Sequence, residues 1–447
     1  MSDLKPIVKR IFGHPLFLVI LIGAVIRFVL SPLSLEVDTK FWTIIVRNMD
    51  AGQGLYAMEG NYYTPVWGYI IGFISFIQSS LLDFGDVVNV CDDALFVLGY
   101  KRYGYSNILA TIPFMILLKI SLFISDLILS LIVYKIILER TGDMKKSVIG
   151  FALVFLAPTI IGSSSILTMS DTISAVFTVL SLYLIRRKNY CIAGICYSFA
   201  VLNKFFPIFL IFIIAAYIVS INEHDIKRSG RPLIGFTAGA IGASFMILLP
   251  QILDGTLPDC FRFITDRAAY TTNIGPLPIN TVIIILLGVI GISFLVYLGY
   301  VLFKSDNNDD TMVACSLLAM SAPMFLFTNA QYFVIIIPFL AYMAVIRSRV
   351  YKYVWLSVAV SALMIIPVLN TNASMFLHLA YYTDMVDLGM ILDGIEWFNS
   401  PVISGMTVAD IFCATGIFIE KASLIAIAAT VIGRWILSYR GVQCKIL

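Results

Sequence analysis

Long apolar segments recur along the whole chain, and shorter polar segments separate them. A helix needs about 20 mostly apolar residues to cross a bilayer. Runs of this length, or slightly shorter, predict twelve membrane-spanning helices, at residues 17–35, 112–138, 148–162, 172–185, 190–202, 207–220, 233–253, 281–303, 312–327, 332–346, 353–369 and 422–437. The pattern therefore predicts an all-α polytopic membrane protein with a single domain over residues 1–447.

One further apolar run, residues 65–82, is long enough to cross a membrane. Counting it as a span would place Arg140, Lys145 and Lys146 on the outer side. Basic residues of short loops concentrate on the cytoplasmic side. We therefore predict an interfacial or re-entrant helix here, within a first extracytoplasmic loop of residues 36–111 that contains interfacial helices. Both termini then lie inside, most Lys and Arg residues are inner, and most Asp and Glu residues are outer.

The composition agrees with a membrane location. Of 447 residues, 60% are hydrophobic and only 13% are charged, whereas about a quarter of the residues in soluble domains are charged. The formal net charge of +3 and the lack of a basic tract do not indicate a nucleic-acid partner. The seven cysteines include no CxxC pair and the three histidines stand apart, so zinc, haem and iron–sulfur sites have no support.

Polar residues that could carry chemistry lie at predicted outer helix ends and outer loops. The carboxylates Glu36 and Asp38 can share a cation or divide the roles of base and ligand. Lys204, at an outer turn, is either a phosphate ligand or a snorkelling lysine, and the guanidinium of Arg267 suits phosphate. The other candidates, which membrane anchoring, helix capping or a polar hairpin would also explain, are Tyr63, Asp171, Gln331 and Tyr332.

A second kind of candidate lies within a predicted span. Asp126 follows Lys119 by two helical turns, so both residues share one side of their helix. Ionisable groups at that depth cost several kcal/mol unless they are paired or hydrated. We favour a structural tie between helices as their role.

The order and spacing of these motifs resemble the C-type superfamily of integral-membrane glycosyltransferases (GT-C), particularly the catalytic subunit of GPI mannosyltransferase I and its prokaryotic relatives. The resemblance covers roughly residues 25–346, and the family's acidic motif has Asp where this chain has Glu36. The matching segments are Glu36-Val37-Asp38, Tyr63-Thr64-Pro65-Val66, Lys119 with Asp126, Pro158 with Met169-Ser170-Asp171-Thr172, Ala200 with Lys204 and Pro207, and Gln331-Tyr332-Phe333.

The resemblance implies an enzyme that inverts the anomeric centre while it transfers a sugar, with mannose expected, from a polyprenyl-phosphate donor to a lipid, glycan or protein acceptor. It implies Asp38 as the catalytic base with Glu36 beside it, and Lys204 and Arg267 as ligands of the donor phosphate. The residues expected to bind substrate are Tyr63, Asp171, Gln331 and Tyr332. A divalent cation (Mg²⁺ or Mn²⁺) at Glu36 and Asp38, and a small membrane partner subunit, stay open.

Two other functions remain alternatives. A transporter or flippase of lipid-linked sugars would need ionisable residues along a path at mid-membrane, where Arg27, Lys119 and Asp126 are the nearest candidates. A non-catalytic membrane scaffold would leave the outer acids dispensable. The Ile-rich chain favours a prokaryotic, archaeal-type cell membrane. The endoplasmic reticulum membrane is the alternative for a eukaryotic protein.

Overall fold

The described part of the chain is almost entirely helical. The computed structural model describes residues 15–34, 36–56, 63–90, 108–262, 277–306, 308–326, 329–368, 374–383 and 385–439. Among these residues, four helices are long and apolar enough to cross a membrane, or five if the bent pair Met144–Phe155 and Pro158–Ile166 forms one span. The chain is therefore an α-helical membrane protein, as its hydropathy pattern predicts.

In the described residues, the helices are accompanied only by two small two-stranded sheets. The helices are α1 (Pro15–Leu30), α2 (Glu36–Asp50), α3 (Pro65–Phe76), α4 (Ile112–Thr141), α5 (Met144–Phe155), α6 (Pro158–Ile161), α7 (Asp171–Arg186), α8 (Tyr190–Asn203), α9 (Ile211–Ile221), α10 (Ile226–Leu253), α11 (Leu277–Phe303), α12 (Asn308–Met324), α13 (Ile337–Ile346), α14 (Arg349–Ile365), α15 (Ser374–Tyr382), α16 (Leu388–Phe398) and α17 (Val408–Tyr439). Strands β1 (Val88–Val90) and β2 (Ile108–Ala110) pair antiparallel, as do β3 (Pro401–Ile403) and β4 (Met406–Thr407).

Each of the twelve predicted spans overlaps a helix in the structure. The four helices that meet the length and hydropathy requirements are α4, α10, α14 and α17. Other apolar helices have only 10–17 residues, including α1, α8 and α13, and about 20 residues are usual for a complete crossing. The helical class is confirmed, whereas the number of twelve crossings stays a prediction.

Two local features differ from the predicted pattern. The acidic motif does not directly follow the first helix, because α1 ends at Leu30 and Glu36 begins a separate helix, α2. The predicted span 148–162 is interrupted after Phe155, where α5 ends, and α6 begins at Pro158 with the chain bent by 42°. Proline has no N–H for the helical hydrogen bond, and it excludes the helical conformation at the preceding residue. Ala157 is accordingly extended.

The chain divides into two compact units. Unit 1 comprises Met1–Thr43, Ile74–Val176 and Met324–Leu447, and its core includes the fully buried Trp42 and Phe155. Its helices α4, α5 and α13 pack on one another, and α14 packs on α17.

Unit 2 comprises Ile44–Phe73 and Phe177–Pro323. Its closest helix pair is α8 with α10, where two glycines allow backbone contact. A Cβ atom on Gly194 would lie 2.0 Å from the Phe236 carbonyl oxygen, and one on Gly239 would lie 2.1 Å from the Cys191 carbonyl oxygen. Small residues at such crossings let membrane helices approach closely and gain van der Waals contact.

A buried histidine of unit 1 lies outside the membrane-spanning helices. His378 of α15 is 7% exposed, and its Nε2 lies 2.9 Å from the Ala110 carbonyl oxygen. That carbonyl can only accept, so Nε2 carries the proton. Tyr382 donates to the same oxygen at 3.0 Å and accepts from Asn89 at 2.8 Å. Burial lowers the pKa of His378 to about 4. The hydrogen bond to Ala110 opposes this shift, and the positive charge of Lys119 adds to it.

The low pKa of His378 predicts acid sensitivity. In the unfolded chain the imidazole binds a proton below about pH 6.5, whereas in the fold it binds one only below about pH 4. The neutral His378 therefore contributes to the free energy of unfolding above pH 6.5, and this contribution is lost as the pH falls towards 4. Between pH 7 and pH 5 this loss is about 2 kcal/mol, at 1.36 kcal/mol per pKa unit. His378→Gln retains an N–H donor without titrating, so thermal unfolding in detergent should show a smaller acid shift than wild type. Equal decreases in melting temperature between pH 7 and pH 5 for wild type and His378→Gln would contradict this role of His378.

Candidate functional site

The interrupted helix of unit 1 leads into a segment rich in buried polar residues. After α6 the backbone forms a π-helical turn, Gly162–Ile166, and then runs irregularly to Asp171, where α7 begins. The hydroxyl-bearing residues of this segment are buried, namely Ser163, Ser164, Ser165, Thr168, Ser170 and Thr172. Irregular backbone at membrane depth is tolerated only inside protein or along a water-filled cavity, so this break is a candidate functional site.

A buried ion pair lies at the break. The Asp126 Oδ2 atom of α4 accepts hydrogen bonds from Arg27 Nε at 3.0 Å, Arg27 Nη2 at 2.8 Å and Ser164 Oγ at 2.7 Å. Arg27 Nη2 also donates to the Phe155 carbonyl oxygen at 2.9 Å, and the guanidinium lies 4.3 Å from the Phe155 ring centroid. The pair thus joins α1, α4 and the end of α5, which agrees with the predicted structural tie.

Lys119 makes a separate contact two turns along the same helix. Its Nζ atom donates to the carbonyl oxygens of Ser31 and Leu33, both at 2.6 Å. Both carbonyls follow the last residue of α1, and Leu33 lies just before Glu36 in the chain. Lys119 therefore binds the segment that joins α1 to the acidic motif.

The helix that carries the acidic motif packs on the break through a tryptophan. Trp42 of α2 is fully buried, and its Nε1 donates to the Thr168 carbonyl oxygen at 3.2 Å. Thr168 has a φ of +54°, a left-handed conformation that is a genuine outlier for a β-branched residue. Such strain persists only where the surroundings hold it, and it is common at functional sites.

Glu36 and Asp38 occupy the first turn of α2. Negative charges in a first turn interact favourably with the helix dipole, so their placement also has an ordinary structural explanation.

Gln331 and Tyr332 lie in the 3₁₀ segment Ala330–Ile335, which packs against α6 and the π-helical turn. Both are buried, at 7% and 3% exposure, as is Asp171 at 3%. Asp171 begins α7, as expected for a helix end, but all three residues are buried inside unit 1, around the interrupted helix, rather than at an exposed loop. Their burial excludes simple solvation as the explanation for their polarity.

Several buried polar atoms around the break have no hydrogen-bond partner among the described residues. They include the hydroxyls of Ser163 and Thr168 and the Oε1 atom of Gln331. An unsatisfied buried polar atom is costly, so each needs an explanation.

The described cationic candidate, Lys204, belongs to unit 2. Lys204 follows α8 in an extended conformation and is half-buried, with its Nζ 5.2 Å from the centroid of the Tyr63 ring. The hydroxyl of Tyr56 donates to the Tyr63 carbonyl oxygen at 2.7 Å. Burial holds the pKa of Tyr56 far above its usual value, so this phenol remains a neutral donor. Unit 2 therefore brings together two predicted residues, Tyr63 and Lys204.

An apolar groove runs between α8 and α10 of unit 2, with a volume of about 360 Å³. Val201 and Ile208, which lie on either side of Lys204 in the chain, both line it. Tyr197, Ala240, Phe245 and Leu248 complete most of its wall. A groove of this kind can bind a hydrocarbon chain.

Two predicted features lie beyond what the structure describes. Arg267 is outside the described residues, and for Glu36 and Asp38 only the helical backbone is described. Within the described ranges no group of three or more His, Cys, Asp or Glu residues could hold a metal ion. The divalent cation therefore stays a prediction.

No protein-family model matches this sequence, and no curated protein is significantly similar to it. The resemblance to GT-C glycosyltransferases accordingly depends on the motifs themselves. The hydroxyl-rich segment 163–171, with Ser164 and Thr168, was a candidate on sequence grounds, whereas sequence reasoning missed Trp42, which the structure places at the break. A cluster of hydroxyl residues within an apolar chain was the available signal for Ser164, whereas nothing local marks Trp42.

Proposed function

We propose that this protein is an inverting glycosyltransferase of the GT-C type with about twelve transmembrane helices. It would move a sugar, with mannose expected, from a polyprenyl-phosphate donor to a lipid, glycan or protein acceptor on the outer face of a prokaryotic cell membrane. The observation that carries the proposal is the apolar groove of unit 2, whose lining includes Val201 and Ile208, one on each side of Lys204 in the chain. An amphiphilic lipid phosphate needs both a hydrocarbon surface and a cation, and this segment of unit 2 carries both.

The proposed reaction is a single displacement at the anomeric carbon. The acceptor hydroxyl oxygen forms a bond to that carbon while the bond from the carbon to the phosphate oxygen breaks. Asp38 takes the hydroxyl proton as general base, and Glu36 orients Asp38 or assists a cation. The leaving polyprenyl phosphate gains negative charge, which Lys204 and Arg267 stabilise. Tyr63, Asp171, Gln331 and Tyr332 would hold the sugars.

A transfer assay tests this function directly. Purified protein would be incubated with labelled polyprenyl-phosphate sugars and extracted membrane lipids, and the labelled product would identify donor and acceptor class together. Transfer from the mannose donor is the expected result. Absence of transfer from every polyprenyl-phosphate sugar, by protein that is folded and monodisperse, would refute the proposal.

Lys204→Met is expected to weaken donor binding by roughly 10- to 100-fold. A hydrogen bond to a charged group contributes about 1.5–3 kcal/mol, and each 1.4 kcal/mol corresponds to tenfold in affinity. Binding of labelled polyprenyl phosphate to protein in detergent would measure the change, and acceptor affinity should change less.

Lys304→Met is a matched control for this variant. Lys304 also lies in unit 2, with its Nζ 5.9 Å from the centroid of the Phe303 ring, but it falls on the predicted inner side. Its replacement should leave donor affinity unchanged. Unchanged donor affinity in both Lys204→Met and Arg267→Met would show that these residues do not bind the phosphate.

One observation favours a transporter of lipid-linked sugars as the second candidate. Interrupted helices occur at the substrate sites of many transporters, and the span of α5 and α6 is bent by 42°. The charges beside the break, however, bind each other. Proteoliposomes separate the two functions, because a transporter moves an unchanged lipid-linked sugar between leaflets, whereas the enzyme forms a new glycosidic bond.

A further inference from the structure

The connection between α1 and the acidic motif is held from two sides. Helix α1 ends at Leu30, and the next residues continue as a turn with Leu33 N donating to the Leu30 carbonyl oxygen at 3.0 Å. Here Lys119 supplies donors to Ser31 and Leu33, while the Ser34 N–H donates to the Met375 carbonyl oxygen of α15 at 3.0 Å.

Lys119 is suited to this role by its chemistry and its burial. The residue is 8% exposed, and a buried ammonium group is costly unless hydrogen bonds satisfy it. A lysine side chain has three donors and no acceptor, so it can bind two adjacent carbonyl oxygens at once. The contacts thus satisfy the ammonium and two carbonyls of the turn that follows α1.

The same face of α4 contacts α1 at a second position along the helix. Asp126, two turns after Lys119, binds Arg27 of α1 and also Ser164 of the π-helical turn. With two attachment points, α1 can neither rotate nor slide along α4 without losing hydrogen bonds. Helix α4 therefore sets where α1 ends relative to the interrupted helix.

The acidic motif lies between two fixed points. Before it, residues 31–34 are held by Lys119 and α15; after it, Trp42 is held by the Thr168 carbonyl oxygen. We propose that Lys119, through the carbonyls of Ser31 and Leu33, is a positioning residue that fixes the location of Glu36 and Asp38 within unit 1. The catalytic consequence of this inference rests on the proposed function.

A distance measurement tests the positioning without relying on activity. In a cysteine-free background, spin labels at Asp38→Cys and Met144→Cys report where the motif lies relative to the start of α5. We expect a narrow distance distribution, which broadens when Lys119→Met removes the donors. A second pair, Met144→Cys with Phe418→Cys, uses two exposed side chains of unit 1 and should not change, which would show that the variant is folded.

Kinetics on unlabelled protein complete the test. Lys119→Met should lower kcat by roughly 10²-fold, the scale expected for a misplacement of about 1 Å, with the donor KM changed by less than about threefold because Lys204 is untouched. Lys119→Gln retains two N–H donors and should recover part of both kcat and the narrow distribution.

The outcomes separate this inference from the function on which it rests. An unchanged distribution for the Asp38 pair in Lys119→Met overturns the positioning role, and a broadened distribution with wild-type kcat overturns its catalytic consequence. If wild type transfers no sugar, the glycosyltransferase proposal fails, while the label distances still decide whether Lys119 holds the motif.

Discussion

Asp38→Asn is expected to lower turnover by roughly 10²–10⁴-fold, the usual contribution of a positioned general base. Asparagine keeps the shape of the side chain but cannot accept the proton of the acceptor hydroxyl. The loss should appear in kcat and in kcat/KM equally, because the interaction is made in the transition state. Transfer of label from a polyprenyl-phosphate sugar, measured at saturating donor, gives the turnover of each variant.

Two comparisons make the Asp38 result specific. Glu36→Gln should cost less if Glu36 only orients Asp38 or assists a cation. Donor affinity should remain near wild type in both variants, since the donor phosphate is assigned to Lys204 and Arg267. Near-normal turnover of folded Asp38→Asn would remove Asp38 as the base. The transporter and scaffold alternatives would then become the stronger ones, unless Glu36→Gln were inactive instead.

Asp126→Ala is expected to destabilise the protein by roughly 3–5 kcal/mol. The cause is less the lost attraction than the buried guanidinium of Arg27, which would keep its charge without a carboxylate partner. Arg27 and Asp126 are 5% and 0% exposed, so solvent cannot compensate. Thermal and denaturant unfolding in detergent would measure the loss.

Two further variants test that explanation. The double variant Arg27→Met with Asp126→Leu removes both charges and should recover most of the stability, because an apolar pair of similar volume is often as stable as a buried ion pair. Arg228→Ala is the surface control. Arg228 pairs with Glu223, but both side chains are largely exposed, at 65% and 75%, so its loss should change stability by about 1 kcal/mol or less. If Asp126→Ala were as stable as wild type, the Arg27–Asp126 pair would not be a structural link between α1 and α4.

Much of the helical architecture follows from the sequence. An apolar run of sufficient length forms a helix in lipid whatever its neighbours, because every backbone group must be satisfied within the segment. This is why a helix occurs at each predicted span. The short helix α2 escaped prediction because its mixed polar sequence lacks that signal, and its stability depends on packing through Trp42. The interruption after Phe155 was readable in principle from Pro158.

The candidate site is only partly determined by the sequence. Residue chemistry identified Asp171, Lys204 and Gln331 as polar groups at helix ends, and the spacing of Lys119 and Asp126 placed both on one face of α4. Tertiary structure alone decided that Asp126 binds Arg27 rather than solvent, and that Lys119 binds the carbonyls after α1. Such pairings depend on how distant helices rotate and shift against one another, and spacing along one helix carries no information about that.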